Sequence, residues 1–307
     1  MKNSIKILWI CLAMACAPEV WSQNDPMFTQ YMFNELYINP AYAGSREFLS
    51  TTALVRQQWV GLDGAPNTQT LSAHKPIFNN KIGAGLTFLN ESIGVSKRTQ
   101  INANGAYRIQ MGKNNLSFGL QLGLAGISEN LSSLGLINDN QFATNTGRRL
   151  APNMGFGTYY LTPKWYAGFS IPRLLQNRLD GTSGEVSNRF NMTDWHYFIT
   201  AGSLHSINSD FKVKPSMMLK AASGAPVELD VNAMAIYRDR LWAGLGYRSG
   251  DAINVLVGAQ INQQLRAGYS YDYATSRLGN FHSGSHELMI GYDFNFQKDK
   301  VVSPRYF

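Results

Sequence analysis

His282 and His286 are the only close pair among the histidines of this sequence, separated by Ser283-Gly284-Ser285. A four-residue spacing makes one face only on a helix, and the intervening Ser-Gly-Ser reads as loop. A structural zinc site would need further ligands nearby, yet the remaining histidines, His74, His196 and His205, are scattered. Asn138-Asp139-Asn140 could contribute oxygen ligands, but the surrounding residues lack the spaced acidic positions of a calcium loop. Both cysteines, Cys11 and Cys16, fall in the N-terminal apolar stretch. If that stretch is removed, no thiolate ligand, disulfide or cysteine nucleophile remains. There is no G-x-S-x-G elbow, phosphate-binding glycine loop or H-E-x-x-H. Gly155-Phe156-Gly157 runs into Thr158-Tyr159-Tyr160 and reads as strand. A hydrolase at a barrel rim would leave no local motif, but no Ser, His or Asp can be paired for it from the sequence. The reading is a non-enzyme with no catalytic, cofactor-binding or metal-binding residue and no cofactor.

The elements that would position any such group are strands. Residues 287–296 alternate Leu288, Ile290, Tyr292, Phe294 and Phe296 with Glu287, Met289, Gly291, Asp293 and Asn295. Residues 265–274 set Leu265, Ala267, Tyr269, Tyr271 and Tyr273 against Arg266, Gly268, Ser270, Asp272 and Ala274. A period of two is a strand with one apolar face. Fourteen such segments are expected, near 49–59, 66–75, 81–91, 98–111, 115–128, 151–160, 164–171, 195–206, 211–222, 226–237, 241–248, 252–261, 265–274 and 286–296. Most are near the roughly 9–11 residues of a tilted membrane strand. Pro215, unable to donate to a ladder, should mark a bulge or a strand start.

Composition agrees with a membrane barrel. Charged residues are 15% of the chain, against about 25% in typical soluble domains. No run reaches the roughly 18–20 apolar residues of a membrane helix. The expected fold is an all-β, transmembrane, antiparallel up-and-down barrel of about 14 strands. With a periplasmic N-terminus, the connections alternate between short turns (76–80, 112–114, 161–163, 207–210, 238–240, 262–264) and an external set that includes the long loops 129–150, 172–194 and 275–285. Trp59, Trp165, Trp195, Trp242, Tyr237, Tyr247, Tyr273 and Phe296 fall at strand ends, where the membrane–water boundary suits them. The competing reading of these aromatics is the core of a soluble β-sandwich.

On the polar face, Arg108, Lys220, Arg248 and Arg266 would share the lumen with Glu228, Asp230, Asp272, Asp293 and Glu287. Such charges must be paired or wet, so either a partly filled interior or a water-wetted wall is possible. Met289 would lie on this face, where an introduced cation could reach water or Glu287. The N-terminus reads as a cleaved signal: Lys2 and Lys6, then the apolar Ile7–Ala15, then Val20-Trp21-Ser22 before Gln23. Lipidation at Cys16 competes, but Ala13 stands where a leucine is usual. Losing Lys2, Lys6 and Glu19 lowers the net charge from +7 to +6. The basic residues form no stripe, so nucleic acid is not an expected partner. The organisation is a signal peptide at 1–22, a periplasmic or plug segment at 23–48, a barrel at 49–296 and a periplasmic tail at 297–307.

Several motifs resemble the PorP/SprF family. They are Gln23-Asn24-Asp25-Pro26-Met27-Phe28-Thr29-Gln30-Tyr31-Met32-Phe33-Asn34, Ile38-Asn39-Pro40-Ala41-Tyr42-Ala43-Gly44-Ser45, Ala167-Gly168-Phe169-Ser170-Ile171-Pro172, Tyr247-Arg248-Ser249-Gly250-Asp251-Ala252, Ser283-Gly284-Ser285-His286-Glu287 and Ser303-Pro304-Arg305-Tyr306-Phe307. The resemblance implies a Bacteroidota outer-membrane protein of the type IX secretion and gliding machinery. Its implied partners are outer-membrane lipid, the periplasmic ring and peptidoglycan-linked components, or a secreted surface adhesin. It carries no catalytic residues. A passive porin-like channel for small solutes is the alternative.

Overall fold

The computed structural model describes residues 26–134, 145–179, 186–192, 195–222 and 225–294. The expected signal peptide, Asn138-Asp139-Asn140 and the tail at 297–307 lie outside them.

Fourteen antiparallel strands close on themselves. They are β1 (Leu49–Gln57), β2 (Asn67–Ile77), β3 (Ile82–Ile93), β4 (Ser96–Met111), β5 (Asn114–Glu129), β6 (Arg149–Leu161) and β7 (Trp165–Ile171). The remainder are β8 (His196–Ser203, resuming at His205–Ser206), β9 (Phe211–Ala222), β10 (Glu228–Tyr237), β11 (Leu241–Arg248), β12 (Ala252–Gln260), β13 (Leu265–Ala274) and β14 (Ser285–Phe294). Each strand pairs with its sequence neighbours, and β1 closes the ring on β14 with Leu49 opposite Phe294 and Gln57 opposite His286. A small hairpin, Gln176–Leu179 with Val186–Arg189, stands in the loop after β7. Closure leaves the barrel sheet itself no unpaired edge among the described residues. Among the described residues no helix is long and apolar enough to cross a membrane.

The alternation read from the sequence is the alternation of burial. In β14, Leu288 and Ile290 are exposed on the outer wall while Glu287, Met289 and Asp293 are buried inside. In β4 and β5, Ile101, Tyr107, Ile109, Phe118, Leu120, Leu122 and Leu124 all face outward. One end of the barrel carries only the short connections 78–81, 112–113, 162–164, 207–210, 238–240 and 261–264, and the other carries the long ones together with the tight turns 94–95 and 249–251. At 238–240 the turn is tight because Arg238 and Asp239 both take positive φ, 49° and 57°, and Arg240 N donates to Tyr237 O at 3.0 Å.

Two sequence expectations are corrected. Trp242 is not at the membrane boundary: only 9% exposed, it faces inward against Phe33, with ring centroids 5.3 Å apart. It shares strand parity with Arg248, and that parity outweighs its position near a strand end. Pro215 marks neither a bulge nor a strand start. It lies within β9, paired with Ala233 of β10. On its other side it stands in the interruption of the pairing with β8, between the pairs Gly202 with Ser216 and His205 with Val213, while Leu204 N simply continues the ladder to β7 at Lys164 O, 2.8 Å away. The missing N–H therefore falls where the ladder is already interrupted.

Candidate functional site: the plugged lumen

The interior is occupied by the chain's own N-terminal segment. From Pro26 to Ser45 nearly every side chain is buried, with Phe28, Tyr31, Leu36 and Ala43 at 1% exposure or less. The segment folds as three short turns of helix, Tyr31–Phe33, Glu35–Ile38 and Pro40–Tyr42. It descends from the long-loop half, where Pro26 lies near Pro172 and Arg173, to the short-turn end, where Gly44 N donates to His74 Nδ1 at 3.1 Å.

Its upper part is held by charge. Arg56, 1% exposed, reaches Asp272 at 2.7 Å through Nη2 and Glu287 at 3.1 Å through Nη1. Glu287 in turn accepts the backbone N–H groups of Thr29 and Gln30 at 2.9 and 2.8 Å. Thr29 Oγ1 accepts from Arg56 Nη1 at 3.0 Å and donates to Asp272 at 2.7 Å. The chain of charges continues through Arg248, which contacts Asp272 at 3.6 Å and Asp230 at 3.0 Å. A second group sits lower: Arg266 to Asp293 at 2.9 Å, Arg46 to the same carboxylate at 3.8 Å, and Ser50 Oγ donating to it at 2.6 Å. Buried charges are tolerated only when paired and hydrogen-bonded. Here Glu287 also takes two plug backbone N–H groups, those of Thr29 and Gln30.

The lower part is held by close approach. Asn39 Nδ2 donates to Thr158 O at 2.9 Å and Phe169 O at 3.3 Å, while its Oδ1 accepts from Ala41 N at 2.9 Å. That last bond caps the turn begun by Pro40. Arg108 donates to Gly44 O. Beneath these residues the wall is glycine. A Cβ on Gly83 would lie 1.9 Å from Ala43 O, one on Gly119 2.1 Å from Ala41 N, and one on Gly157 2.1 Å from Asn39 Oδ1. The Asn-Pro-Ala-Tyr-Ala-Gly stretch thus lies backbone against backbone in a trough that only glycine leaves open. Glycines inside a strand weaken it, and a closely approaching second backbone is one reason to find them there.

The polar face expected from the sequence does point inward: Arg108, Lys220, Arg248, Arg266, Asp230, Asp272, Asp293 and Glu287 are all buried, and Glu228 is partly so. The expectation for Met289 is corrected. It is 1% exposed and packed in the same core as Phe28, Tyr31 and Leu54, because the plug takes the space that water would have filled. His282 and His286 are not brought together on a metal. His282 Nδ1 accepts from Gly284 N at 2.9 Å, and His286 Nδ1 meets the Tyr269 hydroxyl at 2.6 Å. Among the described residues no three His, Cys, Asp or Glu side chains form a ligand set. Sequence reasoning missed the glycine trough, although Gly119, Gly157 and Gly168 share the inward parity of Ser117, Tyr159 and Ser170.

Comparison with known families decides the affiliation. The family described as "Type IX secretion system membrane protein PorP/SprF" matches residues 20–292. This chain belongs to the PorP/SprF family. It is accordingly an outer-membrane β-barrel of the type IX secretion system. In such barrels the short turns face the periplasm and the long loops the exterior. A PorP/SprF barrel of this form is similar in solved structures to the Acinetobacter baumannii outer membrane protein Omp33, at 6% identity and a TM-score of 0.49, covering 81% of this chain and 98% of that one. It is also similar to a Pseudomonas aeruginosa FadL homologue, at 12% identity and a TM-score of 0.47, covering 92% and 97%. The Pseudomonas putida toluene transporter TodX matches at 11% identity and a TM-score of 0.44, covering 84% and 91%. Comparison with curated proteins gave no match.

Proposed function

We propose that this barrel is a non-enzymatic interaction component of the type IX secretion and gliding machinery, binding other secretion components or exporting and retaining a secreted surface adhesin. The observation that carries the reading is the filled lumen. A porin needs a continuous aqueous path, and here Pro26–Ser45 occupies it, bonded to β13 and β14 above and seated in the glycine trough below. The buried ion pairs serve as fastenings between plug and wall. What remains for partners is the two ends, the periplasmic turns and the external loops. Deleting the protein is expected to abolish secretion or surface display of at least one cargo protein, and normal display in the deletion strain would overturn the proposal. In planar bilayers the purified barrel is expected to show no stable conductance. A steady open channel would favour a passive porin for small solutes instead.

A further inference from the structure

A large opening lies at the periplasmic end, between the plug and the lower ends of β9 to β13. It is a cavity of about 600 Å³, within the roughly 300–1,000 Å³ range of ligand pockets. Its apolar side is Phe33, Met234, Ile236 and Trp242, and the turns 238–240 and 260–263 form its rim. Its charged lining is unequal: Arg46, Lys214, Arg238, Arg240 and Arg266 against Glu47, Asp239 and Asp293. Most of these charges are engaged. Arg266 and Arg46 hold Asp293, Arg238 holds Asp210 at 3.1 Å, and Lys212 holds Asp239 at 2.7 Å. Arg240 is different. It is exposed at the rim and makes no side-chain hydrogen bond or ion pair among the described residues.

The geometry points to this cavity as the docking site for an acidic, aromatic or aliphatic peptide segment of a periplasmic partner. The inference rests on the interaction role proposed above and deepens it. An apolar side chain enters between Trp242 and Met234, and a neighbouring carboxylate meets the Arg240 guanidinium at the rim. Charge complementarity argues for the acidic character, since the lining carries five cations against three anions. The ringed floor argues for the apolar anchor, because aromatic anchors in desolvated pockets with a charged rim are where interfaces concentrate their affinity.

The test uses the full-length barrel in nanodiscs and a fluorescein-labelled hexapeptide alternating phenylalanine and glutamate, with a phenylalanine–glutamine version as the neutral comparison. Anisotropy should report binding of the acidic peptide and at least tenfold weaker binding of the neutral one. Arg240→Glu should weaken the acidic peptide at least tenfold, while Arg277→Glu, an exposed arginine at the opposite end, should leave it unchanged. Equal binding of both peptides, or equal loss in both variants, would overturn the docking site. So would failure of the peptide to bind while short-chain phosphatidylglycerol binds and Arg240→Glu abolishes that, which would make it a lipid site. The two readings separate cleanly: no peptide binding with cargo display lost on deletion removes only the cavity, and peptide binding with normal display removes only the secretion role.

Discussion

Gly157 of β6 and Asn39 of the plug are in contact so close that a single methyl on the glycine would lie 2.1 Å from Asn39 Oδ1. The opposing atom is fixed, since Asn39 is bonded through both ends of its amide. Gly157→Ala is therefore expected to cost about 1–3 kcal/mol, the range for overpacking a tight interior. Gly105→Ala, at a position with nothing within 4 Å, should stay within about 0.5 kcal/mol of the parent. The urea midpoint of the heat-modifiable folded band measures both. Equal effects would mean that the trough does not hold the plug.

Arg56 is expected to be irreplaceable for a separate reason. Arg56→Ala leaves Glu287 buried without its cation and Asp272 with only Arg248 at 3.6 Å, a loss of about 3–5 kcal/mol for a broken buried pair. Arg56→Lys should rescue little, because the two carboxylates and Thr29 Oγ1 are served by two different nitrogens of one planar fork. Urea unfolding of the three proteins checks this, and full rescue by lysine would show that charge alone suffices.

The two faces of β14 should respond to alanine in opposite ways. Met289→Ala leaves a hole in a packed core, at about 2–5 kcal/mol. Ile290, 56% exposed on the outer wall, should tolerate alanine because lipid fills the space. Ile290→Arg should instead cost about 2–4 kcal/mol, the figure for a cation at the bilayer midplane. The same folded-band assay applies. If Ile290→Ala proves as damaging as Met289→Ala, the register is off by one residue.

Single-tryptophan variants in vesicles of brominated lipid offer a spectroscopic check on side-chain direction. Trp165, 45% exposed at the start of β7, should be quenched strongly. Trp242 should be quenched far less, being inward and covered by Phe33. Equal quenching would return Trp242 to the membrane boundary.

The barrel was legible in the sequence because a strand's faces alternate residue by residue, and Leu288, Met289, Ile290 and their neighbours declare both faces locally. Parity of short and long connections then fixed the strand count. The plug was legible only as a choice between lumen and rim. Which it is depends on contacts such as Thr29 with Asp272, 243 residues apart, and on glycines whose importance is the absence of a side chain. Trp242 was misread from its nearness to a strand end, although its shared face with Arg248 was available. Pro215 could not be placed because the interruption of the β8–β9 pairing opposite it, between the pairs Gly202 with Ser216 and His205 with Val213, is visible only once the register is known.

The route of the plug also bears on how the molecule is made. Its bonds to Glu287 span 258 residues, and β1, which follows it directly, pairs with β14 at the far end of the fold. The plug residues thus wait for nearly the last strand before they gain their partners, and contacts of such long sequence separation form slowly. Until then Phe28, Tyr31 and Met32 have no core to enter. Ring closure and seating of the plug become one event, so a protein caught before it would present an open sheet edge and an unburied aromatic segment together.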